Sequence, residues 1–242
     1  MNIKYLKKGL NKTGGRNSRG KITVYHKGGG NRKVYRFIDF KRSFNEIKIV
    51  NLEYDPNRTA TIALVQDTKS LKYAYIIAPK NVKVGDIIIN NFNVETNNLN
   101  KDGYCMYIKD IPLGVYIHNI ELVPNEGAKL VRSAGCYATI IKKEDNYAII
   151  KLNNKTLKKI SLNCKATLGI VSNGEHYLDI IGKAGKSRGM NHRPVVRGVA
   201  MNPIDHPHGG GEGKTSGGRP SVTPWGIITK GKKTEKNKKY EI

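Results

Sequence analysis

Along most of this chain apolar side chains alternate with polar ones or gather in short runs, and neither pattern lasts long. Tyr35, Phe37 and Asp39 alternate with Arg36, Ile38 and Phe40, and Ile47 and Ile49 continue the two-residue period. β-Rich runs follow at 61–65, 72–78 and 87–89, with Tyr54-Asp55-Pro56-Asn57 reading as an Asx and proline turn. A second series occupies 137–141, 147–152, 156–160 and 166–171, with a turn at Glu144-Asp145-Asn146. Successive side chains of a strand point to opposite faces, so each run predicts a short, half-buried strand. No window carries a 3.6-residue apolar stripe, which predicts little helix. The Asn-rich, apolar-poor stretch 90–103 separates the two series and predicts a junction between two small barrels.

The two ends read differently. Residues 1–33 offer one short strand, Ile22-Thr23-Val24, between Gly14-Gly15-Arg16-Asn17 and His26-Lys27-Gly28-Gly29-Gly30-Asn31-Arg32-Lys33. Residues 182–231 hold 12 of the 26 glycines and five of the nine prolines, with few sizeable apolar groups. Such segments bury too little apolar surface to order themselves and are expected to take their shape from a partner. The expected plan is a basic extension at 1–33, barrels at 34–100 and 101–181, and an extended tail at 182–242.

Charge follows the same division. The formal net charge is +24, yet residues 43–181 contribute only +3, from 17 basic and 14 acidic groups. Residues 1–42 carry 13 basic groups against Asp39 alone, and 182–242 carry 13 against four. Ends of this kind repel themselves unless a polyanion neutralises them, and a nucleic-acid backbone does so while releasing counterions. The longest apolar runs, such as 74–78, are far short of the roughly 18 residues of a membrane-spanning helix. Cys105, Cys136 and Cys164 are scattered and odd in number, which fits small core residues in a reducing compartment. The first eight residues lack the apolar core of a secretory leader and are too short for a transit peptide.

One segment invites catalytic readings: Asp205-His206-Pro207-His208-Gly209-Gly210-Gly211-Glu212-Gly213-Lys214-Thr215. The His-Gly-Gly-Gly of an esterase oxyanion loop needs a Gly-x-Ser-x-Gly elbow, and the chain has none. Gly213-Lys214-Thr215 ends like a phosphate-binding loop, but His208 stands where its first glycine belongs. His206, His208 and Glu212 lack a further nearby histidine or cysteine to complete a metal site. A histidine base would have no visible nucleophile to serve. Binding explains the segment better. Glycine lets backbone N–H groups approach phosphates, cations neutralise them, and imidazoles stack on bases or bond to them. Arg16, Arg19, His26, Lys27, Arg32 and Lys33 at the other end read the same way. RNA is favoured over duplex DNA because no recognition helix is evident.

Together these stretches resemble one family. They are the glycine-rich segment at 14–17 with Ile22-Thr23-Val24-Tyr25-His26-Lys27-Gly28-Gly29-Gly30, Tyr54-Asp55-Pro56-Asn57-Arg58, Ile117-His118-Asn119-Ile120-Glu121-Leu122, and the run from Arg197 to Gly213. Arg132-Ser133-Ala134-Gly135, Gly182-Lys183-Ala184-Gly185 and Val222-Thr223-Pro224-Trp225-Gly226 support them in the same order. The chain resembles the large-subunit ribosomal protein L2 family over nearly its whole length. That resemblance implies an OB-like barrel, then an SH3-like barrel, then an extended C-terminal tail. It also implies direct binding to large-subunit rRNA, a tail reaching toward the peptidyl-transferase region, and support for subunit association. The expected partners are rRNA, neighbouring ribosomal proteins and the small subunit across a bridge, with no membrane and no homo-oligomer. No cofactor is expected beyond rRNA-associated Mg²⁺, and no catalytic or metal-ligating residue.

The candidate rRNA-binding set is Arg16, Asn17, Arg19, His26, Lys27, Arg32, Lys33, Arg58, Arg132, Lys183, Lys186, Arg188, His192, Arg193, Arg197, Asn202, His206, His208, Lys214, Arg219, Trp225, Lys230, Lys232 and Lys233. Bacterial members carry some forty more residues before the Gly14-Gly15-Arg16-Asn17 stretch than the 13 seen here. The earliest rRNA contacts are therefore expected to be missing, reduced or supplied by another chain. With heavy Lys, Asn and Ile usage, this points to an organelle-encoded protein of the mitochondrial matrix, the alternatives being plastid or bacterial cytoplasm.

Overall fold

Ile47 and Ile49 are buried while Lys48 between them is exposed, the alternation expected of a strand with one face on a core. That strand, β3 (Glu46–Glu53), follows β1 (Lys7–Gly9) and β2 (Val34–Arg36) and precedes β4 (Ile62–Asp67), β5 (Tyr73–Ile77) and β6 (Ile87–Ile89). β3 to β6 form an antiparallel sheet in the order β5-β4-β3-β6, and β1 pairs separately with β2. A register shift between Ile49 and Asn51 bends β3 against β4. β4 is apolar on both faces because both are covered. Ala63 and Val65 join Ile47, Ile49 and Ile76, whereas Ile62 and Leu64 pack with Leu6 and Tyr75.

The second sheet is built from β7 (Cys105–Tyr107), β8 (Tyr116–His118), β11 (Ala138–Lys143), β12 (Tyr147–Leu152), β13 (Leu157–Ser161) and β14 (Lys165–Leu168). Its strand order is β13-β12-β11-β8-β14-β7. A small ribbon, β9 (Ile120–Glu121) with β10 (Ala128–Leu130), lies between β8 and β11 in the chain. The core of this sheet is aliphatic, centred on Ile108, Ile117, Ile140, Ile150 and Ile160. Together the two sheets give a mainly β fold, an OB-like barrel followed by an SH3-like barrel. Cys105 and Cys164 are buried as expected, and Cys136 is half-buried.

This computed structural model describes residues 3–90, 101–213, 215 and 217–231. The expected junction at 90–103 lies mostly outside the described residues. The described chain divides into two units: 3–10 with 32–180, and 11–31 with 181–231. The second unit departs from expectation. Ile22-Thr23-Val24 is not a strand: Thr23 and Val24 both donate to the Gly15 carbonyl, and Ile22 makes a single bridge to Arg16. With no neighbouring strand to pair with, a local turn takes those N–H groups instead. The tail is not shaped by an outside partner alone, since it is hydrogen-bonded to residues 26–31. It also holds one short helix, α1 (Ala184–Gly189).

His118 is fully buried in the first unit, its Nδ1 donating to the Gly169 carbonyl at 2.9 Å. Burial drives its pKa down to about 3; the Gly169 carbonyl opposes that shift and the nearby Arg42 cation adds to it. The folded chain therefore keeps this ring neutral, while the unfolded chain takes up a proton below about pH 6.5. Stability present above 6.5 is lost as pH falls from 6.5 toward 3, by on the order of 1 kcal/mol per unit. His118→Asn keeps a donor for Gly169 and removes the titration. Its denaturation midpoint is expected to fall less steeply than wild type between pH 6.5 and 4; equal slopes would refute this assignment.

Candidate nucleic-acid interface

In the first unit the Asp55-Pro56-Asn57-Arg58 turn builds a site from its own side chains. Asp55 is buried, and its Oδ1 accepts the Asn57 backbone N–H at 2.9 Å, an Asx turn. Its other oxygen pairs with Arg58, while Asn57 Nδ2 reaches the Val34 carbonyl at 2.8 Å and ties the turn to β2. Arg58 is thereby laid over the Tyr35 ring, 5.3 Å from its centroid. Across from it Arg132, in the loop after β10, lies 4.9 Å over Phe40. These residues, with Asn57, Thr59, Ile77 and Ser133, line a cleft of about 440 Å³. Two arginine planes on aromatic rings at one cleft suit a ligand that has both phosphate charge and a flat base.

The basic ends meet in the second unit. The Gly28 and Asn31 N–H groups each donate to tail carbonyls, Asn191 and Gly189, at 3.0 Å. Arg193 N–H returns a bond to the His26 carbonyl at 2.9 Å, and His26 Nδ1 bonds the Pro194 carbonyl at 2.9 Å. Gly30 permits this approach: its φ is +71°, and a Cβ there would run into Asn191. The result gathers Arg16, Arg19, Lys27, Lys183, Arg188, His192, Arg193 and Arg197 in one unit, all exposed. Residues 11–31 bring five basic groups and no acidic one. Residues 181–213 add Lys183, Lys186, Arg188, Arg193 and Arg197 against Asp205 and Glu212, so the unit as a whole attracts phosphates.

His206 and His208 turn inward. His206 is buried, and its Nδ1 accepts the His208 backbone N–H at 3.0 Å. The two rings stack with centroids 5.1 Å apart. His208 Nε2 accepts the Val222 N–H at 3.0 Å while Nδ1 faces the Gly217 carbonyl at 3.1 Å. Both nitrogens are thus used in the neutral, Nδ1-protonated form. These histidines brace the 201–222 loops on each other, a role the sequence did not suggest.

The other candidates are dispersed. Asn17 caps its own turn, its Oδ1 accepting the N–H groups of Arg19 and Lys21 at 3.0 Å. Lys186 sits on α1, and Asn202, Arg219, Trp225 and Lys230 are exposed in the second unit. Arg32, exposed, and Lys33, half-buried, directly precede β2 and belong to the first unit, whereas the other basic N-terminal candidates belong to the second. Lys214, Lys232 and Lys233 lie outside the described residues. Sequence reasoning missed Tyr35 and Phe40, the rings beneath the two arginines. Their alternation marked a strand but could not tell a core face from a ligand face.

Two family models match the chain: "Ribosomal Proteins L2, RNA binding N-terminal domain" over residues 3–90, and "Ribosomal Proteins L2, C-terminal domain" over 101–226. The chain is also similar to three bacterial proteins each named large ribosomal subunit protein uL2. It is 52% identical to that of Orientia tsutsugamushi (strain Ikeda) over 238 residues, 98% of this chain and 85% of the relative. For Wolbachia sp. subsp. Brugia malayi (strain TRS) the identity is 49% over 242 residues, with coverage of 98% and 85%. For Rickettsia peacockii (strain Rustic) it is 50% over 239 residues, with coverage of 98% and 86%.

Proposed function

Because the chain belongs to the ribosomal protein L2 family, we propose that it is a structural, non-catalytic constituent of the large ribosomal subunit that binds rRNA through two surfaces. One is the Arg58–Arg132 cleft and the other the cationic unit formed by 11–31 and 181–231. The carrying observation is the pair of arginines stacked on Tyr35 and Phe40 around one cleft. That arrangement offers flat and charged recognition together, as splayed RNA nucleotides require. The second surface supplies sequence-independent attraction to phosphates. Support for the peptidyl-transferase region and a bridge to the small subunit rest on the family resemblance of the 197–213 segment. The division at 33, 100 and 181 is retained as a functional plan, with 11–31 assigned to act together with the tail.

The mitochondrial assignment rests on the heavy Lys, Asn and Ile usage. The relatives above are bacterial and support the alternative of a bacterial cytoplasm.

Filter binding of the full chain to large-subunit rRNA tests the reading. Log affinity is expected to fall linearly with log salt, losing roughly 10³-fold or more between 50 and 200 mM if six or more phosphates are neutralised. A flat salt dependence would overturn the phosphate-contact reading.

A further inference from the structure

Trp225 is the chain's one tryptophan, and it is 68% exposed. Tryptophan is seldom so uncovered unless something covers it in the working state. Its placement is built. Thr223 N–H donates to the Ile227 carbonyl at 2.8 Å and Gly226 N–H to the Thr223 carbonyl at 2.9 Å, with Val222 bridged to Ile228. Pro224 fixes the first loop position, and Gly226 closes the loop at a φ of +79°. Trp225 therefore stands at the tip of a tight hairpin. The base of that hairpin is fastened by the Val222 N–H to His208. Tyr25, 58% exposed, lies beside the tip with ring centroids 6.0 Å apart and planes 55° apart, and His26 follows 6.5 Å from Tyr25.

We infer that Tyr25 and Trp225 form a stacking platform for an unpaired nucleobase of RNA. This rests on the RNA-binding reading above and adds a site to it. The rings leave much of their area open, so holding the hairpin to 11–31 does not account for them. The same unit carries the exposed Arg16, Arg19, Lys27 and Arg193, and a strand drawn in by its phosphates would bring bases to these faces. His208 acts as a positioning residue, setting the hairpin that presents Trp225.

Because the chain has a single tryptophan, its fluorescence reports on the platform alone. The full chain is titrated with r(A)12, with an abasic ribose-phosphate dodecamer, and with the r(A)12·r(U)12 duplex, occupancy being read independently by filter binding. At equal occupancy, r(A)12 is expected to quench Trp225 strongly and the other two weakly. Tyr25→Ala is expected to weaken r(A)12 binding about tenfold while leaving duplex binding within about twofold, and Tyr25→Phe to restore it. Equal quenching by the abasic strand, or an equal loss of single-strand and duplex binding in Tyr25→Ala, overturns the platform and leaves RNA binding standing. Absence of binding to any RNA overturns the RNA-binding reading, and the platform with it.

Discussion

Arg132→Ala combined with Arg58→Lys is expected to weaken binding to large-subunit rRNA by about two orders of magnitude. Each arginine has a separate reason to matter. Arg132 is exposed, holds only a long 3.4 Å bond to the Ala128 carbonyl, and stacks on Phe40, so its truncation should spare the fold. Arg58→Lys keeps a cation beside buried Asp55 but gives up the planar group over Tyr35. A charge-assisted or stacking contact contributes about 1–3 kcal/mol, so losing two corresponds to roughly a hundredfold. Filter binding at fixed salt measures the change, with unaltered melting as control. A loss below about threefold would remove the cleft from the interface.

The second large effect concerns stability. Asp55→Ala is expected to cost about 3–5 kcal/mol, because it leaves Arg58 without its carboxylate and the Asn57 N–H without an acceptor. Arg36, 4.0 Å from the same carboxylate, loses a second counter-charge. For a chain of this size that corresponds to a fall in melting temperature of about 10 °C or more. Asp55→Asn retains an oxygen for the turn and should recover part of the loss. A melting temperature within 2 °C of wild type for Asp55→Ala would show that the turn is held by something else.

Sequence pattern was most informative where one face of a strand meets a core. The runs at 61–65, 72–78 and 147–152 were legible because buried and exposed positions alternate or the strand is covered on both sides. Four other strands, of three residues each, left too short a period to read. Lys7–Gly9, Cys105–Tyr107, Tyr116–His118 and Ala128–Leu130 exist because a neighbouring strand pairs with them, a long-range cause that no local window contains. Ile22-Thr23-Val24 failed for the converse reason: β-branched residues without a partner strand form a turn. Charge pointed to both ends as one kind of surface, yet their meeting depends on backbone bonds between glycine-rich segments far apart in sequence. For His206 and His208, residue type suggested outward chemistry. Only the fold shows His206 Nδ1 taken by the His208 N–H, and both His208 nitrogens facing backbone groups of the 217 and 222 loops.

The central claim, a resident rRNA-bound constituent of the large subunit, meets its most direct test in sedimentation. A lysate of the source cells is resolved on a gradient, and fractions are probed for this chain before and after a high-salt wash. Persistent co-migration with the large subunit through the wash is the expected result. Recovery only in light, RNA-free fractions would contradict it.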